Sequence, residues 1–260
     1  MPFATVNDVT LHYRYRAGSG MAVVFLNSLG TDFRIWDAVI DAMDSQTPVL
    51  CMDKRGHGLS DDAEISMDAL VADAGALMDQ LGIKNALICG DSVGGIIAQG
   101  LASARPDLVA GLVLCCTGAK IGDADGWNAR IEAVKSGGIA PIADAVLERW
   151  FSPNYIATES AGLAGYRNML VRTSAAGYAG VCAAIRDTDY RDQSAQLTVP
   201  THCVAGTADL ATPVPLLQEL ATLIKGATLE VIEDVGHLPC IEVPTRVAAT
   251  VTNMRGALND

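Results

Sequence analysis

The stretch Ala86-Leu87-Ile88-Cys89-Gly90-Asp91-Ser92-Val93-Gly94-Gly95 decides how the rest of the chain is read. Residues 86–89 form an apolar run the length of a buried strand, and residues 93–104 have helical character. Between them stands G-x-S-x-G, in the strand–turn–helix setting that gives the pattern meaning. A serine on so tight a turn is strained, so its neighbours two residues away must be small. Gly95 lets the opening of the helix pack closely on the strand. Ser92 is the candidate nucleophile; a small-residue turn used for packing alone is the bland alternative.

Outward from this stretch the pattern alternates. Residues 22–26, 49–52, 112–116, 202–205 and 228–232 are further short apolar runs, with helical segments between them, notably 66–81 and 93–104. Uniformly apolar strands interleaved with helices indicate a parallel sheet covered on both faces. At the N-terminus, residues 3–6 and 10–15 flank Asn7-Asp8, a tight-turn dipeptide that predicts an antiparallel hairpin. Residues 117–201 contain no comparable strand, only helical segments punctuated by Gly137-Gly138, Pro141, Pro153 and Gly162. A structureless loop of that length is implausible in a compact domain, so the reading is a helical insertion. The expected architecture is α/β: eight mostly parallel strands in a core of residues 1–118 and 200–260. A helical cap, or lid, of residues 119–199 is inserted after the sixth strand.

The chain has 260 residues, half of them hydrophobic and 18% charged, which excludes a disordered chain. At this length folding buries about 70% of the extended-chain surface, enough for one large core. No apolar run approaches the roughly 18 residues of a spanning helix. The N-terminus lacks a basic region followed by an apolar one, so no secretory signal is expected. The formal charge of −12 argues against nucleic acid or an anionic membrane as partner. A local cationic pocket is compatible with that charge, because screening confines each charge to about 8 Å. Seven cysteines, several in apolar runs, read as small buried hydrophobes in a reducing compartment, hence the cytoplasm. No CxxC pair occurs and the four histidines are scattered, so no metal site is expected.

A serine hydroxyl needs a base within hydrogen-bond reach. His237, in Asp234-Val235-Gly236-His237-Leu238 after the last strand, is the candidate. The orienting acid comes earlier in the chain order serine, acid, histidine. Asp209, in Gly206-Thr207-Ala208-Asp209 at a strand end, fits that order, with a helix-cap or turn aspartate as the alternative. Asp234, only three positions before His237, is the runner-up and is read as shaping the loop. His57 and His202 are read as structural, and His12, in the hairpin, has no partner in view. The developing oxyanion needs two backbone N–H groups. Val93 supplies one, and Leu29, in Asn27-Ser28-Leu29-Gly30 after the third strand, is chosen for the second. The segment Asp53-Lys54-Arg55-Gly56-His57-Gly58-Leu59-Ser60 looks catalytic, but its glycines suggest a sharp structural turn.

The ordered motifs Asn27–Gly30, Arg55–Ser60, Gly90–Gly95, Gly206–Asp209 and Gly236-His237 resemble those of the α/β-hydrolase superfamily. The finer resemblance is to 3-oxoadipate enol-lactonases and covers nearly the whole chain. Its specific parts are Ile121-Gly122 with Trp127 and Arg130-Ile131, residues 145–153, and Gly177-Tyr178-Ala179-Gly180 leading to Ala183-Ala184-Ile185-Arg186-Asp187. Asp91 stands where that family usually carries an uncharged residue, and Val93 where methionine or isoleucine is common.

The resemblance implies a serine hydrolase that opens 3-oxoadipate enol-lactone in the β-ketoadipate pathway of aromatic catabolism, without metal or organic cofactor. The partner is then a small anionic lactone, whose carboxylate needs a local cation. Trp127 and Arg130 are three residues apart on one helix face and suit a flat, anionic ring. Arg186, on the helix carrying Tyr178, is the alternative cation. The core motifs equally suit a carboxylesterase, a C–C bond hydrolase or a perhydrolase, and the fold can also serve as a ligand-binding receptor.

Overall fold

The chain opens with β1 (Phe3–Val6) and β2 (Val9–Arg16), paired antiparallel. Asn7 and Asp8 between them take φ of 49° and 61°, the left-handed pair that matches a hairpin turn to the twist of its strands. This computed structural model describes residues 2–259. Six more strands follow: β3 (Val23–Leu26), β4 (Val49–Met52), β5 (Ala86–Asp91), β6 (Val109–Cys115), β7 (Thr201–Gly206) and β8 (Thr228–Ile232). They join one eight-stranded sheet in the order β1-β2-β4-β3-β5-β6-β7-β8. β2 runs antiparallel to β1 and β4, and the remaining pairs are parallel.

Every residue of β3, β4 and β5 is buried, so the centre of the sheet is covered on both faces. The edge is different. In β8 Thr228 and Val231 are exposed and no residue is fully buried, so the expectation of uniform cover fails there. As the last strand, β8 has only β7 beside it.

Helices α1 (Asp37–Asp41), α2 (Met67–Gln80) and α3 (Val93–Ala104) separate the early strands. Ser66 caps α2 by accepting from the Ala69 amide, and Gly82, with φ of 68°, follows its end. The turn after β4 is tied to α2 by a buried bidentate pair. The Arg55 Nε and Nη2 atoms donate to the two Asp73 carboxylate oxygens, at 2.7 Å each.

Between β6 and β7 lie six helices: α4 (Ala124–Gly137), α5 (Ala143–Trp150), α6 (Pro153–Thr158), α7 (Ser160–Val171), α8 (Ala175–Asp187) and α9 (Arg191–Ser194). Asp123 caps α4, Gly138 ends it with φ of 72°, and Ser152-Pro153 opens α6. α4 packs along α8, and α8 touches α2. The chain finishes with α10 (Val214–Leu223), α11 (Pro239–Glu242) and α12 (Pro244–Asn259), the last packed on β5, β6 and α1. Among the described residues no helix is long and apolar enough to cross a membrane.

The strand order reverses at β3, which pairs with β4 on one side and β5 on the other. In parallel sheets such a switch point opens a crevice at the carboxyl ends of the strands. The chain leaving β3 is Asn27–Gly30, and the chain leaving β5 carries Ser92.

Candidate active site

Ser92 joins β5 to α3 with φ of 57° and ψ of −120°, a backbone conformation costly for any residue with a Cβ. Its surroundings impose it. A Cβ on Gly90 would lie 2.3 Å from the Gly94 carbonyl oxygen, and one on Gly94 would lie 2.0 Å from that of Leu26. Only glycine lets strand, turn and helix approach so closely. The turn is held from β6: the Ser92 amide donates to the Cys115 carbonyl at 3.0 Å, and the Thr117 hydroxyl donates to the Ser92 carbonyl at 2.6 Å.

Asp209 and His237 meet across the ends of β7 and β8, Oδ2 to Nδ1 at 2.9 Å, with both side chains buried. The second carboxylate oxygen of Asp209 accepts from the amides of Ala211 and Thr212, at 2.7 and 2.9 Å, and the Thr212 hydroxyl donates to Oδ2 at 2.6 Å. Burial alone would raise the Asp209 pKa. The charge and hydrogen bond of His237, with the two bonds from Thr212, outweigh it and bring the pKa down to about 2. His237 is pulled down by burial and pushed up more strongly by the charge and hydrogen bond of Asp209, so its pKa is raised. An ionised Asp209 accepts the Nδ1 proton, leaving Nε2 of neutral His237 as the basic nitrogen.

The His237 loop is held from the inserted helices. The His237 amide donates to the Trp150 carbonyl at 2.7 Å, and the Gly236 amide to Glu242 Oε1 at 3.0 Å. Glu242 also accepts from the amide and hydroxyl of Ser152, which fastens the α5–α6 junction to the same loop. Asp234, with φ of 58°, shapes the turn before it. The sequence reading missed Trp150 and Glu242 in this role. No local spacing announces a bond between residues 87 or 90 positions apart.

The loop of Leu29, the candidate oxyanion loop, is pinned by the turn after β4. Lys54 Nζ donates to the Ser28 carbonyl at 2.6 Å and to the Asn27 and Thr31 carbonyls at longer range, while the Gly30 amide donates to His57 Nε2 at 2.9 Å. Burial drives the Lys54 pKa down to about 7 and holds that of His57 well below its usual value. The turn read as structural is thus the support of the candidate oxyanion loop. Among the described residues, the Leu29 and Val93 amides donate to no protein acceptor. His12 does have a partner, contrary to expectation: its Nδ1 lies 2.7 Å from Asp53 Oδ2, across 41 residues of sequence.

Ser92, His237 and Leu29 share a cavity of about 270 Å³ with Trp127, Arg130 and Arg149. Trp127 is fixed by donating Nε1–H to the Ile121 carbonyl at 2.7 Å, and the Arg130 guanidinium lies 5.3 Å from its ring. Arg186 and Tyr178, also expected to bind substrate, are not among the residues that line this cavity. Arg186 points away, donating to Asp187 at 2.7 and 2.8 Å and to Asn128 at 2.7 Å, beside a groove between α4 and α8. Tyr178 is fully buried, 3.0 Å from where a Gly30 Cβ would stand, with its hydroxyl close to Arg130 and without a hydrogen-bond partner among the described residues. The buried face of α8 carries Tyr178, Cys182 and Ile185, which turns the next residue, Arg186, off the cavity. Arg149, at the end of α5, takes the second cationic place.

Asp91 is fully buried, and among the described residues neither of its carboxyl oxygens has a hydrogen-bond partner. Burial pushes its pKa well above the usual carboxylate value, against the opposing charges of His237 and Lys54. The Cys116 sulfur lies within 4.8 Å of the Asp209 and His237 ligand atoms, a spacing a metal could span. The Cys116 thiol is held protonated by burial, and Asp209 is already saturated with hydrogen bonds, which suits an acid–base pair better.

A model described as the alpha/beta hydrolase family matches residues 23–250. The chain is 36% identical, over 92% of its length and 91% of the relative's, to 3-oxoadipate enol-lactonase 2 of Acinetobacter baylyi. It is similar to the crystal structure of the enol-lactonase from Burkholderia xenovorans LB400, at TM-score 0.93 and 36% identity, covering 97% of this chain and 99% of that one. A thermophilic esterase from Thermogutta terrifontis, solved with malate bound, is similar at TM-score 0.91 and 25% identity, covering 99% and 97%.

Proposed function

The chain belongs to the α/β-hydrolase family and, within it, to the 3-oxoadipate enol-lactonases; as a lactone-cleaving ester hydrolase, we propose, it opens 3-oxoadipate enol-lactone with water to give 3-oxoadipate. The observation that carries this reading is the cavity in which Ser92 and His237 face Trp127 and Arg130. Ser92 attacks the lactone carbonyl while His237 Nε2 takes its proton. Asp209 orients the imidazole and stabilises its cation, and the Leu29 and Val93 amides bind the oxyanion. Collapse breaks the ring C–O bond and expels an enol oxygen, which His237 reprotonates; the enol then becomes the ketone. Water, deprotonated by His237, attacks the acyl carbon, breaks its bond to Ser92 and releases the acid.

Arg130 holds the substrate carboxylate and Trp127 covers the ring. Residues 119–199 serve as a lid that keeps bulk water from the acyl intermediate, over a core of residues 1–118 and 200–260. The reaction belongs to the β-ketoadipate pathway of aromatic catabolism in the cytoplasm, where free buried cysteines such as Cys89 and Cys203 stay reduced. Turnover of a panel tests the reading: the enol-lactone, a neutral aryl ester and a peracid-forming pair of ester and peroxide. The enol-lactone is expected to have the highest kcat/KM. A higher value for the aryl ester would make the protein a general esterase, and one for peracid formation a perhydrolase.

A further inference from the structure

The cavity is lined by two guanidiniums, one more than a single carboxylate requires. Of the thirteen arginines, eight form ion pairs with carboxylates and Arg16 and Arg255 bind backbone carbonyls. Among the described residues Arg130, Arg149 and Arg172 bond to neither; Arg172 lines a separate cavity, and Arg130 and Arg149 line that of Ser92 and His237. The carboxylates nearby make their hydrogen bonds elsewhere, and neither guanidinium is paired with one. Asp209 is occupied by His237, Ala211 and Thr212, and Asp123, on the rim, caps α4 by accepting from the Gly126 amide at 2.8 Å. Asp91 is buried without a hydrogen-bond partner among the described residues, and burial disfavours its charged form.

The two guanidiniums lie near each other and have different further neighbours. Arg130 lies over Trp127. Arg149 directly precedes Trp150, whose carbonyl accepts the His237 amide, so it stands beside the acid–base pair. Its charge reaches that pair, opposing protonation of His237. Burial, and then repulsion by Arg130, lowers the Arg149 pKa, a penalty that a second anion would relieve.

We propose that Arg149 and Arg130 make this cavity a dicarboxylate site, with the substrate's own carboxylate on Arg130 and the carboxylate born at Ser92 received by Arg149. The proposal rests on the lactonase reading for the identity of the two anions. Hydrolysis balances accordingly: one water adds across the acyl–Ser92 bond, the proton returns to Ser92 through His237, and the released acid ionises beside Arg149. A short dicarboxylate is then a better ligand than a monocarboxylate of the same length.

The test is inhibition of neutral aryl-ester hydrolysis by adipate and by hexanoate, with calorimetric titration of both as a direct measure of binding. In the wild type adipate should bind at least about tenfold more tightly than hexanoate. Arg149→Met should abolish that advantage and Arg149→Lys should keep part of it. Arg172→Met, which removes a cation from a separate cavity, should leave it intact. Equal binding of the two acids by the wild type, or an unchanged advantage in Arg149→Met, overturns the proposal. If Arg149→Met does not fold, a full adipate advantage in Arg149→Lys would count against it. An adipate advantage in a protein that fails to open the enol-lactone would sink the lactonase reading and leave the dicarboxylate site standing.

Discussion

At the floor of the cavity a methyl group on Gly94 would press within 2.0 Å of the Leu26 carbonyl oxygen, whereas in the roof one on Gly165 of α7 would meet nothing within 4 Å. The same contrast runs through both regions. Nearly all of α3 is buried, including polar Gln99, while α7 buries only Leu170 and α4 only Ile131 and Val134. The floor sets the geometry of bond making and tolerates no extra atom. The roof supplies charge and aromatic surface from α4, which packs lightly, and from α5, while α8 is packed as closely as the floor: a Cβ on Gly177 would lie 2.1 Å from the Gly56 carbonyl oxygen. Chemistry is thus placed on the rigid part, and selectivity on the part that can change without loss of the fold.

The largest effect should come from the floor. Ser92→Ala should lower turnover by about 10⁴-fold or more and abolish labelling by a fluorophosphonate probe. Retention of a tenth of the wild-type rate would remove Ser92 from the mechanism. Gly94→Ala should cost about 3 kcal/mol, because the added atom meets backbone rather than a side chain that can swing aside. A denaturant midpoint unchanged from the wild type would refute the claim that the floor is rigid.

In the roof, Arg130→Met should raise KM for the carboxylate-bearing lactone about tenfold, the ~1.5 kcal/mol of a charged hydrogen bond. A neutral aryl ester should be affected much less. Equal losses on both substrates would mean that Arg130 holds the helices together instead of reading the anion.

The pH dependence of kcat/KM sharpens the same division. His237 must be neutral to act as base, and its pKa is raised because Asp209 outweighs burial. Activity should therefore fall about tenfold per pH unit below an inflection lying above 6.5. The Asp209–His237 pair stabilises the fold most between the ordinary values of the two groups, about 3.8 and 6.5. Below that window its contribution is lost as pH falls toward the depressed Asp209 pKa of about 2; above it, as pH rises through the raised His237 pKa. An inflection below 6 would mean that Asp209 does not govern the imidazole.

The smallest effect closes the comparison. Gly165→Ala should stabilise the protein by about 0.5–1 kcal/mol, since a mid-helix glycine is replaced where space is open. Destabilisation would show that the roof is packed more tightly than its burial suggests.

Much of the fold was legible because the signals are local. Apolar runs gave the strands, Asn7-Asp8 gave the hairpin, and Gly90, Gly94 and Gly95 around Ser92 marked the turn. Asp209 and His237 could be nominated from their places after strands, and the structure brings them to 2.9 Å. Tertiary packing decided what surrounds them. Whether Arg130, Arg149 or Arg186 enters the cavity depends on how α4, α5 and α8 rotate against one another, which spacing along a single helix does not encode. Lys54 and His57 became supports of the candidate oxyanion loop, and Glu242 a clasp on the histidine loop, through contacts across 26, 27 and 90 residues of chain. Backbone conformation is set by neighbours in sequence and can be read from them. The destination of a long polar side chain is set by whichever distant segment buries it, and that exists only once the chain has folded.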